Sequence, residues 1–271
     1  MTGREGMLPQ PARIRQIAQE SGRVKLFVLD AQMEAVAGQF VMLWLPGQDE
    51  RPFSLVSADP MTLLVAKVGP FTRALHDLQE GDWLWWRGPF GNGFRPPSTK
   101  AVQVRVPRRR LLLAGGGYGV APLAFAAQQM VARGWPVTAV IGARSREEIL
   151  LCDCFEALGC QVLLCTEDGS SGSRGLVTEV MDDLLQNERA HAAAHTASGR
   201  TMCVYGCGPE AMLEELRSVC CRHWLPCQLS YEAVMRCAFG VCGSCARHGL
   251  LICKDGPVLE WSEEGDLTLS H

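Results

Sequence analysis

Leu111-Leu-Leu-Ala-Gly-Gly-Gly-Tyr-Gly-Val-Ala-Pro122 is the stretch at which the patterning of the chain changes. Four residues of a short apolar strand run into a glycine turn, and Val120–Ala132 continues with the pattern of a buried helix. Strand, glycine turn and helix together make the first βα unit of an open sheet. The turn is not the G-x-G-x-x-G fingerprint, because counting from Gly115 puts Val120 where the third glycine belongs.

Downstream the same alternation repeats. Val137–Ile141, Gln161–Thr166 and Thr201–Tyr205 read as buried strands, and Glu147–Leu158, Val177–Asn187 and Glu210–His223 read as the helices between them. This order predicts a parallel sheet covered by helices on both faces. Tyr205-Gly-Cys-Gly-Pro-Glu210 supplies a second glycine turn at the end of a strand. Two such turns on one carboxyl edge mark the crevice at which open α/β sheets bind ligands. Glu188–Gly199 is rich in Ala and His and reads as an extended helix end or a loose loop. His191 and His195 lie four apart within it, but two histidines alone are a poor metal site.

Upstream, from Ala12 to about Val106, the pattern is one of short strands. Val24–Ala31, Gln39–Leu45, Pro52–Ala58, Met61–Val68 and a strand opening at Trp83-Leu-Trp-Trp86 are bounded by Gly, Pro or Asp, which predicts an antiparallel barrel. Thr72–Gln79 interrupts it with helical spacing at Ala74, Leu75 and Leu78. The three tryptophans read as packing residues. Gly88-Pro-Phe-Gly-Asn-Gly-Phe94 is a glycine-rich turn that closes the barrel, and Pro107-Arg-Arg-Arg110 reads as a solvated linker.

Two barrel segments suit a flavin. Arg51-Pro52-Phe53-Ser54 offers a cation for a pyrophosphate, a ring for an isoalloxazine edge and a hydroxyl for a ring nitrogen. Lys67-Val68-Gly69-Pro-Phe-Thr72 ends a strand and opens a helix, whose N-terminus favours a phosphate.

The C-terminal part carries Cys237-Ala-Phe-Gly-Val-Cys242-Gly-Ser-Cys245, with Cys253 eight residues beyond. C-x4-C-x2-C followed by a fourth cysteine is the spacing of plant-type [2Fe–2S] sites. Zinc sites favour two C-x2-C halves, and only one is present here. The seven residues between Cys245 and Cys253 suit a short hairpin turning at Arg247-His248-Gly249, which leaves His248 as a turn residue. Phe239, Val241, Leu250 and Leu251 are apolar residues in or beside this loop, and solvent-facing apolar groups there suggest an interface with a partner. Packing beneath the cluster is the better reading for Val241.

All 13 cysteines fall between Cys152 and Cys253, and no apolar core of a signal peptide follows Met1. Thiols without a secretory signal predict a reducing, cytoplasmic location, with the nine cysteines outside the motif serving as small buried hydrophobes. A net charge of −3 and the lack of a long apolar run give no sign of nucleic-acid or membrane partners. The expected organisation is a β-barrel over residues 1–108, an α/β domain over 109–226 and a small iron–sulfur module over 227–271.

In this order, RPFS, GGGYGVAP and YGCGP resemble the ferredoxin–NADP reductase superfamily, a flavin barrel joined to a nicotinamide domain. With the terminal C-x4-C-x2-C…CKDGPV, nearly the whole chain resembles the electron-transfer subunits of dihydroorotate dehydrogenase B. The resemblance implies FAD held by Arg51, Pro52, Phe53 and Ser54 and lined by Ala66, Lys67, Val68, Gly69 and Thr72. Pro70-Phe71 stands where these subunits commonly carry a smaller, glycine-containing pair. It implies a nicotinamide dinucleotide at Gly115, Gly116, Gly117, Cys207, Gly208 and Pro209, and a [2Fe–2S] cluster on Cys237, Cys242, Cys245 and Cys253. Small subunits of ferredoxin-dependent NADP oxidoreductases tend to carry Asp as first ligand, so Cys237 favours the dihydroorotate type.

The resemblance further implies NAD as the nicotinamide and a flavin-bearing catalytic subunit as partner, two of each in a heterotetramer. No segment suits a small organic substrate, so the oxidised substrate belongs to the partner. Rival expectations are a reductase subunit serving a sulfide- or glutamate-linked dehydrogenase, and a redox-sensing module without turnover. The choice of NAD has a local counter-argument. Gly142-Ala-Arg-Ser145 has no acidic residue for a ribose, and Arg144 and Arg146 are chemically able to accept a 2′-phosphate.

Overall fold

The computed structural model describes residues 8–96, 108–193, 200–247 and 249–268. It divides into two compact units, Met1–Gly93 with Glu232–Val258, and Phe94–Tyr231 with Leu259–His271. Among the described residues, no helix is long and apolar enough to cross a membrane.

The first unit holds a closed antiparallel barrel in the order β1-β2-β5-β4-β3-β6. Its strands are β1 (Gln10–Ser21), β2 (Val24–Leu29), β3 (Phe40–Trp44), β4 (Arg51–Ala58), β5 (Met61–Ala66) and β6 (Trp83–Phe90). Alternation sets the inward face. In β6, Leu84 and Trp86 are buried whereas Trp83 is exposed and Trp85 half-buried, the latter edge-on to Trp44. The predicted tryptophan packing is therefore split between the two faces of one strand.

Past Arg87 the register shifts, because Phe40 pairs with Phe90 while Met42 pairs with Arg87. One extra residue in β6 makes a bulge, with Gly88 at φ 138, and bulges re-aim side chains at barrel rims. Arg87 comes before this bulge, pairs with Met42 and is buried on the face of β6 opposite Trp86. The helix expected inside the barrel is α1 (Pro70–Asp77), which buries Phe71, Leu75 and His76 on one side.

The second unit is built on an eight-stranded sheet in the order β10-β9-β8-β7-β11-β12-β15-β16. Its parallel strands are β7 (Arg108–Gly116), β8 (Val137–Ala143), β9 (Gln161–Thr166), β10 (Ser173–Arg174), β11 (Arg200–Cys207) and β12 (Cys227–Ser230). The helices are α2 (Val120–Val131), α3 (Cys152–Ala157), α4 (Val177–Ala193) and α5 (Glu210–Arg222). β8 is buried along almost its full length, as a parallel strand covered on both faces must be. Each fully buried Val or Leu of this kind contributes about 1.5–3 kcal/mol.

One predicted helix is corrected by the structure. Glu147–Leu158 is a 3-10 turn at Arg146–Glu148 followed by the short α3. Leu150 and Leu151 are pulled into the core, and Leu151 takes a left-handed φ of 56 that breaks the helix between them. His195 and His248 lie outside the described residues, as does Pro107, so the expectations resting on them do too.

The cysteine-rich segment forms the hairpin β13 (Ala246–Arg247) with β14 (Leu250–Leu251), then one helical turn, α6 (Ile252–Asp255). The edge strands β15 (Val258–Trp261) and β16 (Leu267–Thr268) form an antiparallel pair at the end of the large sheet.

Candidate functional site

The nine-residue cysteine loop is curled by three residues of positive φ, Ala238 at 70, Gly240 at 84 and Gly243 at 73. The hairpin expected from the short Cys245–Cys253 spacing follows it, and α6 brings Cys253 back to the loop. The Cys253 amide donates to Cys245 Sγ at 3.4 Å, and the Val241 amide donates to Cys237 Sγ at the same distance. Cys242 Sγ lies 3.2 Å from Ser244 Oγ. Cys245 and Cys253 are buried, Cys237 is half-buried and Cys242 is exposed. The four thiols thus form a group buried on one side and open on the other.

Their acidities differ with their surroundings. Burial acts to raise the Cys237 thiol, but the amides of Cys242, Phe239 and Val241 and the Cys242 thiol outweigh it and bring it down to about 6. Cys242 is lowered by the Ser244 hydroxyl first and then by backbone amides. Burial pushes Cys253 up to about 12, reinforced by the Cys245 thiol beside it. Four neighbouring sulfurs, two of them receiving amides from their own segment, fit a metal–sulfide group bound by thiolates.

The loop is fastened to the barrel at two points. Arg87 Nη2 donates to the Cys237 carbonyl at 3.0 Å. Asn92 Nδ2 donates to the carbonyls of Lys254 and Asp255 at 3.2 and 3.1 Å, and its backbone amide meets Gly256 O at 2.5 Å. Neither residue was singled out from the sequence. A lone cation within the apolar run Trp83–Phe90 was the available signal, because a buried charge requires a partner. Phe239 and Val241 are 44% and 76% exposed, and Leu250 and Leu251 are half-buried. Val241 therefore does not pack beneath the loop.

The flavin-type residues gather on β4 and on the turn after β5. Arg51 opens β4 with its side chain half-exposed, donates Nη1 to Glu50 O at 2.8 Å and lies 3.6 Å from Asp49. Pro52, Phe53 and Ser54 are half-buried, and the Phe53 and Phe71 rings lie 6.1 Å apart. Ala66 ends β5, with Lys67 and Val68 exposed beyond it. Thr72 Oγ1 accepts the amides of Val68 and Gly69, both at 2.9 Å, so its hydroxyl is engaged in shaping this turn. A β-carbon on Gly69 would meet nothing within 4 Å, which leaves the backbone open to a ligand.

In the sheet unit, β7 and β11 are neighbours from which the chain winds in opposite directions, to β8 on one side and β12 on the other. That is a topological switch point, and the two glycine turns flank it. Gly115 and Gly116 end β7 with Gly117 just beyond, and Cys207 ends β11 with Gly208 and Pro209 just beyond, Cys207 and Gly208 being buried. The turns interlock. A β-carbon on Gly119 would overlap the Cys207 carbonyl, and one on Gly116 would lie 2.6 Å from Met212 Sδ. A β-carbon on Gly117 would meet nothing, so its backbone at φ 53 faces open space, as a dinucleotide loop requires.

Arg144, the arginine offered to a 2′-phosphate, is instead paired. Its Nε and Nη2 donate to the Glu148 carboxylate at 2.8 and 2.5 Å. The Asp168 amide donates to Arg144 O, and the Arg146 amide donates to Ser170 Oγ, so the loops after β8 and β9 are joined. Glu148 and Asp168 were not recognised in the sequence because neither follows β8 directly. Of the nine cysteines outside the motif, six are buried and Cys152, Cys154 and Cys221 are half-buried. Burial pushes the Cys165 thiol up to about 11, as suits a packing residue.

Known proteins share this arrangement. The family model of the iron-sulfur cluster binding domain of dihydroorotate dehydrogenase B matches residues 232–263. That of the oxidoreductase NAD-binding domain matches 113–218. A protein of Methanocaldococcus jannaschii named probable dihydroorotate dehydrogenase B (NAD(+)), electron transfer subunit, is 38% identical over 94% of this chain and 91% of its own length. The protein of the same name from Methanothermobacter thermautotrophicus is 37% identical over 95% and 90%. Among solved structures, an NADH-dependent reduced ferredoxin-NADP oxidoreductase superposes with a TM-score of 0.76 at 25% identity, over 95% of this chain and 90% of that one. A ferredoxin NADP+ reductase from Neisseria gonorrhoeae has the same fold, with a TM-score of 0.56 at 20% identity over 78% of this chain and 89% of that one. The named relatives match over nearly the whole of this chain, and the chain belongs to the family of dihydroorotate dehydrogenase B electron transfer subunits.

Proposed function

We propose that this chain carries electrons between a flavin-bearing dihydroorotate dehydrogenase catalytic subunit and NAD. The observation that supports it most is the gathering of four cysteines from a loop and a helical turn, fastened to the barrel that carries Arg51–Ser54. In the net reaction, dihydroorotate is oxidised to orotate on the partner and NAD+ is reduced to NADH on this chain. Two electrons and one proton reach NAD+, and the second proton is released.

The residues divide the work. When bound, FAD interconverts hydride and single-electron transfer, and a [2Fe–2S] cluster passes single electrons. Cys237, Cys242, Cys245 and Cys253 would hold the cluster as thiolates. Arg51 would neutralise the flavin pyrophosphate, with Pro52, Phe53 and Ser54 along the ring and Ala66–Gly69 and Thr72 shaping the adjoining backbone. Gly115–Gly117 and Cys207–Pro209 would seat the dinucleotide. Phe239 and Val241, solvent-facing beside the cysteines, suit burial against the catalytic subunit in a two-plus-two heterotetramer. Thirteen cysteines retained as thiols suit a cytoplasmic location.

Reconstitution tests this reading. The isolated chain is expected to pass electrons from NADH to an artificial acceptor and to leave dihydroorotate untouched. Adding the catalytic subunit should bring dihydroorotate-dependent NAD+ reduction. Oxidation of dihydroorotate by the chain alone, or failure of NADH to reduce any acceptor, would overturn it.

A further inference from the structure

Arg87 is a cation in a strand position whose neighbours are apolar, and its side chain is only 8% exposed. Its Nε lies 2.8 and 3.0 Å from the two carboxylate oxygens of Glu50, and Nη2 lies 2.6 Å from one of them. The other proton of Nη2 goes to the Cys237 carbonyl at 3.0 Å. The guanidinium also lies 5.1 Å from the Phe90 ring and 6.0 Å from that of Phe239. Glu50 immediately precedes Arg51, whose Nη1 returns to the Glu50 carbonyl. A continuous polar link thus runs from the head of β4, through Glu50 and Arg87, to the backbone of the first cysteine.

We propose that the Glu50–Arg87 ion pair positions the first ligand of the cysteine loop and sets the reduction potential of the cluster held there. The inference rests on the cluster reading above. A cluster bound by four thiolates is an anion, and it becomes more negative on reduction. A fixed cation bonded to the peptide of one ligand therefore stabilises the reduced form more than the oxidised form, and the carboxylate behind it opposes that effect. Because the pair is largely withdrawn from water, solvent screens it weakly. The bidentate fork also explains the choice of arginine, since it grips Glu50 and retains a proton for Cys237.

The two partners consequently have effects of opposite sign. Arg87→Met removes the cation and leaves Glu50 charged, which lowers the potential. Glu50→Gln leaves the guanidinium unopposed, which raises it. Each change is expected to be about tenfold in the one-electron equilibrium, or about 59 mV. Arg87→Lys keeps the charge without the fork, so the potential stays near that of the native chain while the loop loosens.

The experiment uses the full chain with its cofactors in native, Glu50→Gln, Arg87→Met and Arg87→Lys forms. It measures iron and sulfide content, a redox titration followed by the paramagnetic signal of the reduced cluster, and iron release to a chelator. Opposite displacements for Glu50→Gln and Arg87→Met, with faster iron release in both Arg87 variants, are expected. Potentials that stay together or move in the same direction would overturn the inference, because a purely structural brace has no sign. If Arg87→Met fails to fold, an unchanged potential in Glu50→Gln overturns it equally. A native chain without iron and sulfide would instead remove the cluster reading itself.

Discussion

Arg144 and Glu148 form a two-pronged ion pair at the end of β8, with donor–acceptor distances of 2.8 and 2.5 Å. The arginine that would recognise a 2′-phosphate is thereby occupied by its own loop, and a carboxylate stands where that phosphate would bring like charge. Glu148→Gln should therefore raise kcat/KM for NADPH relative to NADH by about three- to tenfold, a range discounted for solvent exposure. Steady-state reduction of an artificial acceptor with each nucleotide measures the ratio, and an unchanged ratio would place selectivity elsewhere.

Gly119 packs its α-carbon against the Cys207 carbonyl, leaving no room for a side chain. Gly119→Ala should force the two glycine turns apart at a cost of about 1–3 kcal/mol. NADH-driven flavin reduction should fall at least about tenfold, while FAD and iron content stay at native levels. Loss of the other cofactors as well would mean that the strain spreads through the chain.

Arg51 is half-exposed at the start of β4 and is held by Asp49 and the Glu50 carbonyl. Arg51→Ala should weaken FAD binding by about 1.5 kcal/mol, at the low end for a charge-assisted contact because water competes for it. That is about tenfold in Kd by fluorescence titration of the deflavinated protein, with little change in its thermal stability.

Val241 is 76% exposed in the cysteine loop. Val241→Asp should weaken association with the catalytic subunit by about tenfold or more, because a carboxylate would be buried without a partner. Sedimentation of the mixed subunits measures this. NADH-to-acceptor activity of the isolated variant should match that of the native chain.

His76 is buried between α1 and the barrel, with Nε2 2.9 Å from the Val65 carbonyl. Burial holds it below its ordinary value of 6.5, against the hydrogen bond to Val65. A depressed folded-state value means that the unfolded chain takes up the proton first. The stability contribution is therefore complete above pH 6.5 and is lost as pH falls through the lower folded value. Denaturant midpoints of the native chain should decline below pH 6.5, and His76→Gln should flatten that decline.

Much of this architecture was legible from local spacing. The cysteine motif, the two glycine turns and the change from short strands to βα units depend on residues adjacent in the chain, whose chemistry limits what the backbone between them can do. C-x4-C-x2-C holds its cysteines close together because the turn is short, and the hairpin before Cys253 follows from seven intervening residues.

Tertiary structure decided what spacing cannot express. Arg87 and Cys237 are 150 positions apart, and only the packing of the cysteine segment against β6 brings the cation to that carbonyl. The break at Leu151 wins over the helical pattern of Glu147–Leu158, because burying two adjacent leucines outweighs continuing a helix whose turns would expose one of them. Glu148 reads as an ordinary surface acid until the 3-10 turn brings it back upon Arg144. The closeness of cysteines and glycines within one turn depends on short-range covalent geometry and can be read along the chain. The partners of buried charges depend on which distant strands pack together, and that is settled only when the whole chain has closed its core.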